Sequence, residues 1–221
     1  GPKARDVLGG LTDASLENAD FPWRTAQQIE ITGIPTLALR INYVGELGWE
    51  LHPAMADLPA LYAAVWAAGE AHGIADFGLY ALNSLRMEKG YRGWGAELTN
   101  EVTMLEADMA RFYASAKEDF VGKAGTETNE AGPLRLVYFE VEAQDADVRG
   151  GEPIFLGDTC VGVTTSGGYG YAVEKSLGFG YVPPEQAEPG SVIDIGLLDA
   201  RCRATVLAEP IYDPANERLA S

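Results

Sequence analysis

Two clusters of polar and aromatic side chains in this sequence could do chemistry. The first lies at residues 42–51 and combines Tyr43 and Glu50 with two glycines. If the flanking strands pair, Tyr43 and Glu50 face one cavity, where a carboxylate can accept two N–H hydrogen bonds from the edge of a planar heterocycle such as a pterin. A surface hairpin with solvated Glu46 and Glu50 explains the same pattern. Spacing alone favours the surface hairpin.

The second cluster lies at residues 83–95. Arg86 and Glu88 stand among apolar residues of a predicted helix, and Tyr91 and Trp94 follow in a glycine-rich turn. The two charged residues could act in catalysis or hold the end of the helix as a buried ion pair. We predict that Arg86 and Glu88 form a structural ion pair.

Other motifs of catalysis or metal binding are missing from the sequence. There is no nucleophile elbow, P-loop, zinc signature or dinucleotide fingerprint. The glycine run 167–170 lies between two strand patterns and precedes no helix, which predicts a hairpin turn and no phosphate site. His52 and His72 are not at helical metal spacing, and Cys160 and Cys202 form no zinc or redox motif. We therefore expect no metal site and two reduced cysteines.

Composition restricts the partners that this chain can have. The 221 residues include 33 acidic and 16 basic side chains, a net charge of −17. Nucleic-acid binding needs clustered Lys and Arg, and no such cluster occurs. No apolar run reaches the roughly 18–20 residues of a membrane helix, and no secretory leader is visible. We expect neither a nucleic acid nor a membrane partner.

The first part of the chain has the pattern of an α+β domain. A short helix is predicted at residues 2–11, and strands are predicted at 28–31, 36–44 and 49–51. Leu58, Leu61, Tyr62, Val65 and Trp66 then follow helical spacing up to Gly73, and another helix is predicted over 77–89. Strands followed by helices indicate an α+β fold.

The second part has the pattern of a small all-β domain. Short strands are predicted at 134–141, 152–155, 160–165, 176–182, 191–195 and 202–207, separated by turn residues. Regular short strands without a helical run favour a small barrel or a sandwich. Several glycines interrupt the polar stretch between the α+β pattern and the all-β pattern. We therefore predict domains at residues 1–125 and 126–221.

Taken together, several segments resemble the aminomethyltransferase (glycine-cleavage T-protein) superfamily, and they occur in the family's order across nearly the whole chain. They are GPKARDVL at 1–8, YVGELGWEL at 43–51, LRMEKG at 85–90, LEA at 105–107, DFVGK at 119–123, VTTSGG at 163–168 and GFGYV at 178–182. The resemblance implies an antiparallel sheet with helices at residues 1–125, in an N-terminally incomplete folate-binding region. A small all-β barrel, the C-terminal aminomethyltransferase domain, is implied at 126–221.

Further segments are similar to the folate-binding region of dimethylglycine and sarcosine dehydrogenases or oxidases. They are YALNSLR at 80–86, RGWG at 92–95 and EPIYDP at 209–214. In that branch an FAD domain oxidises an N-methyl amine, and tetrahydrofolate captures the resulting iminium as 5,10-methylenetetrahydrofolate. The resemblance implies tetrahydrofolate as the cofactor of this region, and FAD only in an N-terminal domain that this sequence lacks. It also implies partnership with that missing N-terminal half, in the bacterial cytoplasm or the mitochondrial matrix.

The resemblance also assigns site residues. Tyr43, Glu50 and Trp94 are implied to bind folate. The family's catalytic aspartate is expected upstream of Gly1, so we assign no catalytic residue to this chain and expect the chain alone to be inactive.

Two other functions remain open. The chain could be a fragment of a stand-alone aminomethyltransferase or of a folate-dependent demethylase. It could also be a non-catalytic interaction domain.

Overall fold

The computed structural model describes residues 1–128 and 132–221, and it confirms the predicted α+β part followed by a small barrel. The helices are α1 (Ala4–Gly9), α2 (Leu58–Gly69), α3 (Leu79–Glu88), α4 (Lys123–Thr128) and α5 (Glu217–Ala220). The strands are β1 (Ala26–Ile31), β2 (Ile34–Leu39), β3 (Glu50–Pro53), β4 (Arg135–Val141), β5 (Pro153–Leu156), β6 (Thr159–Gly170), β7 (Lys175–Val182), β8 (Val192–Leu197) and β9 (Ala200–Val206). None of the helices in these residues is both long and apolar enough to cross a membrane.

The first compact unit comprises Gly1–Leu82 and Asp213–Ser221. Its sheet is antiparallel in the order β1-β2-β3. Thr32 and Gly33 connect β1 to β2 with φ values of 50° and 79°, the left-handed conformation that a tight hairpin turn requires. The main hydrophobic cluster of this unit draws on α1, the following loop, the sheet and α2, and it contains Leu8, Leu16, Phe21, Ile29, Ile31, Ala38 and Leu61.

Helix α2 forms where the sequence predicts it, but its predicted apolar face is only partly buried. Leu61 is 3% exposed, whereas Leu58 and Tyr62 are 51% and 52% exposed. The Tyr62 hydroxyl donates to Asp76 Oδ2 at 2.7 Å, and its ring stacks on Trp66. Helical spacing therefore identified the helix correctly and overestimated how much of its apolar face is covered.

The last nine residues, 213–221, return to the first unit and are held by two arginines. Arg40 is 1% exposed and donates to the carbonyl oxygens of Phe21 and Ser221, both at 2.7 Å. Arg5 donates to the same Ser221 oxygen at 2.9 Å. Leu219 is 2% exposed, so the tail contributes to the core of the unit.

The second compact unit, Asn83–Tyr212, contains the barrel. Its strands close in the order β4-β7-β6-β5-β8-β9, and β9 pairs with β4. All of these pairings are antiparallel. Alternate residues of the strands fill the interior because successive side chains point to opposite faces. The interior residues include Val137, Phe139, Val141, Ile154, Val182, Ile193, Ile195, Ala204 and Val206.

The outer face of β4 and β7 is also buried, because the end of α3 packs on it. Met87 contacts a second cluster that contains Tyr138 and Phe179, and the Tyr138 hydroxyl donates to the Met87 carbonyl oxygen at 2.8 Å. The boundary between the two compact units lies within α3, between Leu82 and Asn83. The predicted domain boundary between residues 125 and 126 rests on the sequence pattern, and it stays a prediction.

The glycine run 167–170 is not the hairpin turn that the sequence predicts. These residues form the end of β6, and the chain turns after them, with Glu174 at φ 54°. A Cβ at Gly167 would lie 2.5 Å from Val148 Cβ. Glycine is present here because the chain segments pack closely.

A carboxylate ties the start of β5 to β6. Glu152 accepts hydrogen bonds from the backbone amides of Arg149 (3.0 Å) and Gly150 (2.8 Å) and from the Thr164 hydroxyl. Burial by itself would raise the pKa of Glu152. The hydrogen bond from Thr164 and those from the amides outweigh burial and lower this pKa below its ordinary 4.5.

This lowered pKa makes the barrel's stability depend on pH. A depressed carboxyl pKa stabilises the fold above the unfolded-state value near 4.5, and that contribution is lost as the pH falls through the lower, folded-state value. At pH 7 we expect Glu152→Gln to lower the free energy of unfolding by about 1 kcal/mol. The difference from the unsubstituted protein should shrink below pH 4.5. Urea denaturation at several pH values measures it. Glu185→Gln, at an exposed position, is the control, and an equal pH dependence in both variants would contradict the prediction.

Candidate functional site

The segment that leads to Glu50 is a folded loop, and the predicted strand over 36–44 is wrong at its end. Strand β2 stops at Leu39, and the residue that pairs with Leu39 is Glu50. The Asn42 side chain organises the loop, because its Oδ1 atom accepts hydrogen bonds from the amides of Val44 (3.0 Å) and Gly45 (2.8 Å). Asparagine commonly nucleates turns in this way.

Glu50 presents its carboxylate to solvent at the start of β3. Its side chain is 48% exposed, and His52 lies two residues further, on the same exposed face. His52 Nε2 is 3.5 Å from Glu50 Oε2. Because the carboxylate is exposed, its oxygens can accept N–H groups from a ligand.

Tyr43 lies in the bend between β2 and β3 and is half-buried. We expected Tyr43 and Glu50 to flank a short turn on paired strands. The structure pairs Glu50 with Leu39 and places Tyr43 outside both strands, so that reasoning from strand pairing is wrong. The assignment of Tyr43 and Glu50 to folate binding stays a prediction.

The end of α3 is closed by a glycine. Gly90 has φ 62°, its amide donates to Met87 O at 3.0 Å, and the Tyr91 amide donates to Arg86 O at 2.9 Å. This pair of bonds is a Schellman motif, which satisfies carbonyl groups that a helix end otherwise leaves unpaired. It directs residues 91–98 away from the helix axis.

The predicted ion pair between Arg86 and Glu88 is not formed. Arg86 Nη1 binds Glu97 Oε2 at 3.0 Å, and Glu88 Oε1 instead accepts the Ala172 amide at 2.6 Å. Residues two apart on a helix point to different sides, so these two side chains cannot meet. The partner of Arg86 is a glutamate that lies beyond the helix.

Among the described residues of the second unit, Glu97 is the most enclosed charged residue, with an exposure of 0%. Its Oε2 atom accepts from Arg86 Nη1 and from the Gly93 amide, at 3.0 and 2.7 Å. Its Oε1 atom accepts the hydroxyls of Thr165, at 2.7 Å, and Ser166. These four donors use the approximately four acceptor positions of a carboxylate. Glu97 therefore joins α3, the following loop and the barrel.

A bulge in β6 makes this arrangement possible. Neighbouring residues of a regular strand point to opposite faces, but the β6–β7 register shifts between Thr164 and Ser166. The bulge lets the adjacent hydroxyls of Thr165 and Ser166 both reach Glu97 Oε1.

We call residues 90–98 the Trp94 loop. Trp94 is 79% exposed, although the backbone around it is held by hydrogen bonds. The amides of Ala96, Glu97 and Leu98 donate to Gly93 O at 3.3, 3.1 and 3.1 Å. The Gly95 amide donates to Leu98 O at 2.9 Å. The loop thus presents an indole on a fixed backbone.

Two further contacts connect the Trp94 loop to the rest of the second unit. Burial lowers the pKa of Arg92, which pairs with Asp108 and lies over the Phe179 ring. The Tyr181 hydroxyl donates to Glu97 O at 2.7 Å. Burial and then the Glu97 charge raise the pKa of Tyr181 to about 12.

The predicted folate-binding residues are divided between the compact units. Tyr43 and Glu50 belong to the first, and Trp94 belongs to the second. Two residues that organise these segments were not predicted from the sequence. Asn42 could have been recognised from its position three residues before a glycine. Glu97 has no local signal, because two of its partners lie 68 and 69 residues away.

Comparison with known proteins relates both parts of the chain to one family. Residues 1–117 match the family described as GCVT N-terminal domain. Residues 135–213 match the one described as glycine cleavage T-protein C-terminal barrel domain.

Individual relatives extend this similarity to nearly the whole chain. It is 41% identical to a mitochondrial dimethylglycine dehydrogenase from Mus musculus over 99% of this chain and 26% of that protein. It is 34% identical to a mitochondrial sarcosine dehydrogenase from Mus musculus, over 99% of this chain and 25% of that protein. The chain thus spans about a quarter of the length of these relatives.

A solved structure shares the fold. The glycine cleavage system aminomethyltransferase T from Bartonella henselae superposes with a TM-score of 0.74 at 23% identity. The match covers 81% of this chain and 50% of that one.

Proposed function

We propose, from the premise that this chain belongs to the glycine cleavage T-protein family, that it is the tetrahydrofolate-binding, methylene-transfer part of an FAD-dependent N-methyl amine dehydrogenase or oxidase. The observation that carries the proposal is the 41% identity to a dimethylglycine dehydrogenase, which extends over 99% of the chain. The substrates are an N-methyl amine of the dimethylglycine or sarcosine class and a folate. The location is the bacterial cytoplasm or the mitochondrial matrix.

The residues present fit a folate. The pterin ring carries adjacent N–H donors on one edge, and a solvent-exposed carboxylate can accept both of them. Glu50 has such a carboxylate, 48% exposed and with His52 nearby at 3.5 Å. Trp94 has an exposed indole of the kind that stacks on planar heterocycles. We propose that Tyr43, Glu50 and Trp94 each contribute to folate binding.

The substitution Glu50→Gln tests the proposed role of the carboxylate. The glutamine NH₂ group donates where an acceptor is needed, so it removes a charge-assisted hydrogen bond and opposes a pterin N–H. We expect folate to bind about 10- to 150-fold more weakly to the complete protein, equivalent to roughly 1.5–3 kcal/mol. Calorimetric titration with 5-formyltetrahydrofolate measures the affinity. Glu30→Gln, at an exposed glutamate of β1 in the same sheet, is the matched control. Unchanged affinity in Glu50→Gln would refute the assignment.

A second experiment tests the reaction class. The complete protein should form 5,10-methylenetetrahydrofolate when given dimethylglycine or sarcosine with tetrahydrofolate and an electron acceptor that reoxidises the FAD. The 221-residue chain alone should form none, because the family's catalytic aspartate and the amine-oxidising FAD domain are expected outside it. Family membership also supports the stand-alone aminomethyltransferase as a second candidate. A complete protein that leaves both amines unoxidised yet transfers a methylene group would favour that candidate.

A further inference from the structure

The buried Glu97 carboxylate supplies the negative charge that neutralises Arg86. Arg86 and the Gly93 amide, which bind Oε2, can only donate hydrogen bonds. The two hydroxyls on Oε1 can rotate and either donate or accept. A neutral glutamine could keep its oxygen on Arg86 and Gly93 and turn its NH₂ group to the hydroxyls. It would keep the shape of the site but leave the Arg86 charge unneutralised at 5% exposure. Its hydrogen bonds to Arg86 and to the Gly93 amide would lose their charge assistance and hold the loop less strongly.

This carboxylate holds the Trp94 loop from inside. The Gly93 amide, directly before Trp94, binds the Glu97 side chain at 2.7 Å. The backbone of Glu97 is fixed in turn, because its amide donates to Gly93 O and its carbonyl oxygen accepts the Tyr181 hydroxyl. Arg86 also donates to Tyr91 O at 3.0 Å. Both sides of Trp94 are therefore attached to the same buried ion pair.

Attachment of the loop to this ion pair restricts the orientation of the exposed Trp94 indole. A side chain that is 79% exposed obtains little orientation from its own packing. Its orientation depends on the backbone, and a flexible loop would have to become ordered whenever a ligand binds. A backbone that is already ordered avoids this entropy loss and strengthens binding without a new contact.

We propose that Glu97 is a positioning residue for ligand binding: its buried carboxylate fixes the Trp94 loop so that the Trp94 indole forms a preorganised stacking surface for a planar heterocycle. The inference rests on the proposed folate-binding role of Trp94. Glu97 is enclosed at 0% exposure and does not touch the ligand itself.

The substitution Glu97→Gln in the complete protein is the main test. We expect it to weaken binding of 5-formyltetrahydrofolate about tenfold, since the loop must become ordered on binding. In a Trp94→Ala background the same substitution should change the affinity less than about twofold, because no indole is left to position. This loss of effect separates positioning from general destabilisation, which would weaken binding in both backgrounds.

Hydrogen–deuterium exchange supplies a readout that needs no folate. Glu97→Gln should speed exchange of the amides at residues 93–98 about tenfold relative to those in β8 and β9. Val141→Ala is the control, because Val141 belongs to the hydrophobic cluster of the barrel interior, which contains no residue of the Trp94 loop. It should lower overall stability without selectively exposing residues 93–98.

Tyr181→Phe is a milder variant if Glu97→Gln fails to fold. It removes only the hydroxyl that donates to Glu97 O and keeps the ring that packs on the barrel. It should speed exchange at residues 93–98 and weaken folate binding by about threefold, again only when Trp94 is present.

The possible outcomes separate the inference from the proposed function. If Trp94→Ala leaves folate affinity unchanged, both the folate-binding role of Trp94 and the present inference are wrong. If Trp94→Ala weakens binding but Glu97→Gln acts equally in both backgrounds, or leaves exchange at 93–98 unchanged, only the inference is wrong. A loss of folate affinity that depends on Trp94, together with faster amide exchange at residues 93–98, supports the inference.

Discussion

Arg86→Met is expected to lower the free energy of unfolding by about 3–5 kcal/mol, because it leaves a buried carboxylate without its counter-charge. Glu97 is 0% exposed and retains only three neutral donors after the change. Methionine replaces most of the arginine volume, so the loss reflects charge and hydrogen bonding more than a cavity. Urea denaturation followed by circular dichroism measures the difference.

Two comparisons show whether burial causes this loss. Lys175→Met breaks the pair between Lys175 and Glu140, whose side chains are 43% and 31% exposed. It should cost less than about 1 kcal/mol. Adding Glu97→Gln to Arg86→Met should restore part of the lost stability, since the uncompensated charge is then removed. A similar loss in Arg86→Met and Lys175→Met would contradict the prediction.

Gly162→Ala is expected to destabilise the barrel by about 3 kcal/mol. A Cβ at Gly162 would lie 2.1 Å from the carbonyl oxygen of Tyr181, which is far inside van der Waals contact. That oxygen belongs to the backbone of the neighbouring strand β7, where the adjacent pair is Val163 with Tyr181. A side chain could rotate away, whereas a paired backbone must shift its strand.

The control for this substitution is Gly125→Ala in α4. Outside its chain neighbours and its own helix backbone, no atom of the described residues lies within 4 Å of a Cβ built at Gly125. Alanine favours the helix, so the change should be neutral or stabilising by up to about 1 kcal/mol. Thermal denaturation of both variants gives the comparison. A Gly162→Ala protein as stable as Gly125→Ala would show that β6 and β7 separate easily.

The sequence by itself determined the kinds and order of the main elements. Short segments between turn residues identified the six barrel strands, and helical spacing identified α2 and α3. These signals are local, because they arise from which face of a single element is buried. Residues that resemble a known family also directed attention to Glu50 and Trp94, which are 48% and 79% exposed.

The tertiary structure decided which distant residues meet. It paired Arg86 with Glu97 in place of Glu88, and it placed Thr165 and Ser166 on the same carboxylate through a bulge. It continued β6 through the glycines at 167–170, where glycine suits a close approach as well as a turn. These outcomes depend on strand register and on packing between segments up to 69 residues apart. No local pattern contains that information, because the side chain types of Arg86, Glu88 and Glu97 are compatible with either ion pair. The contacts made in the folded barrel select one of them.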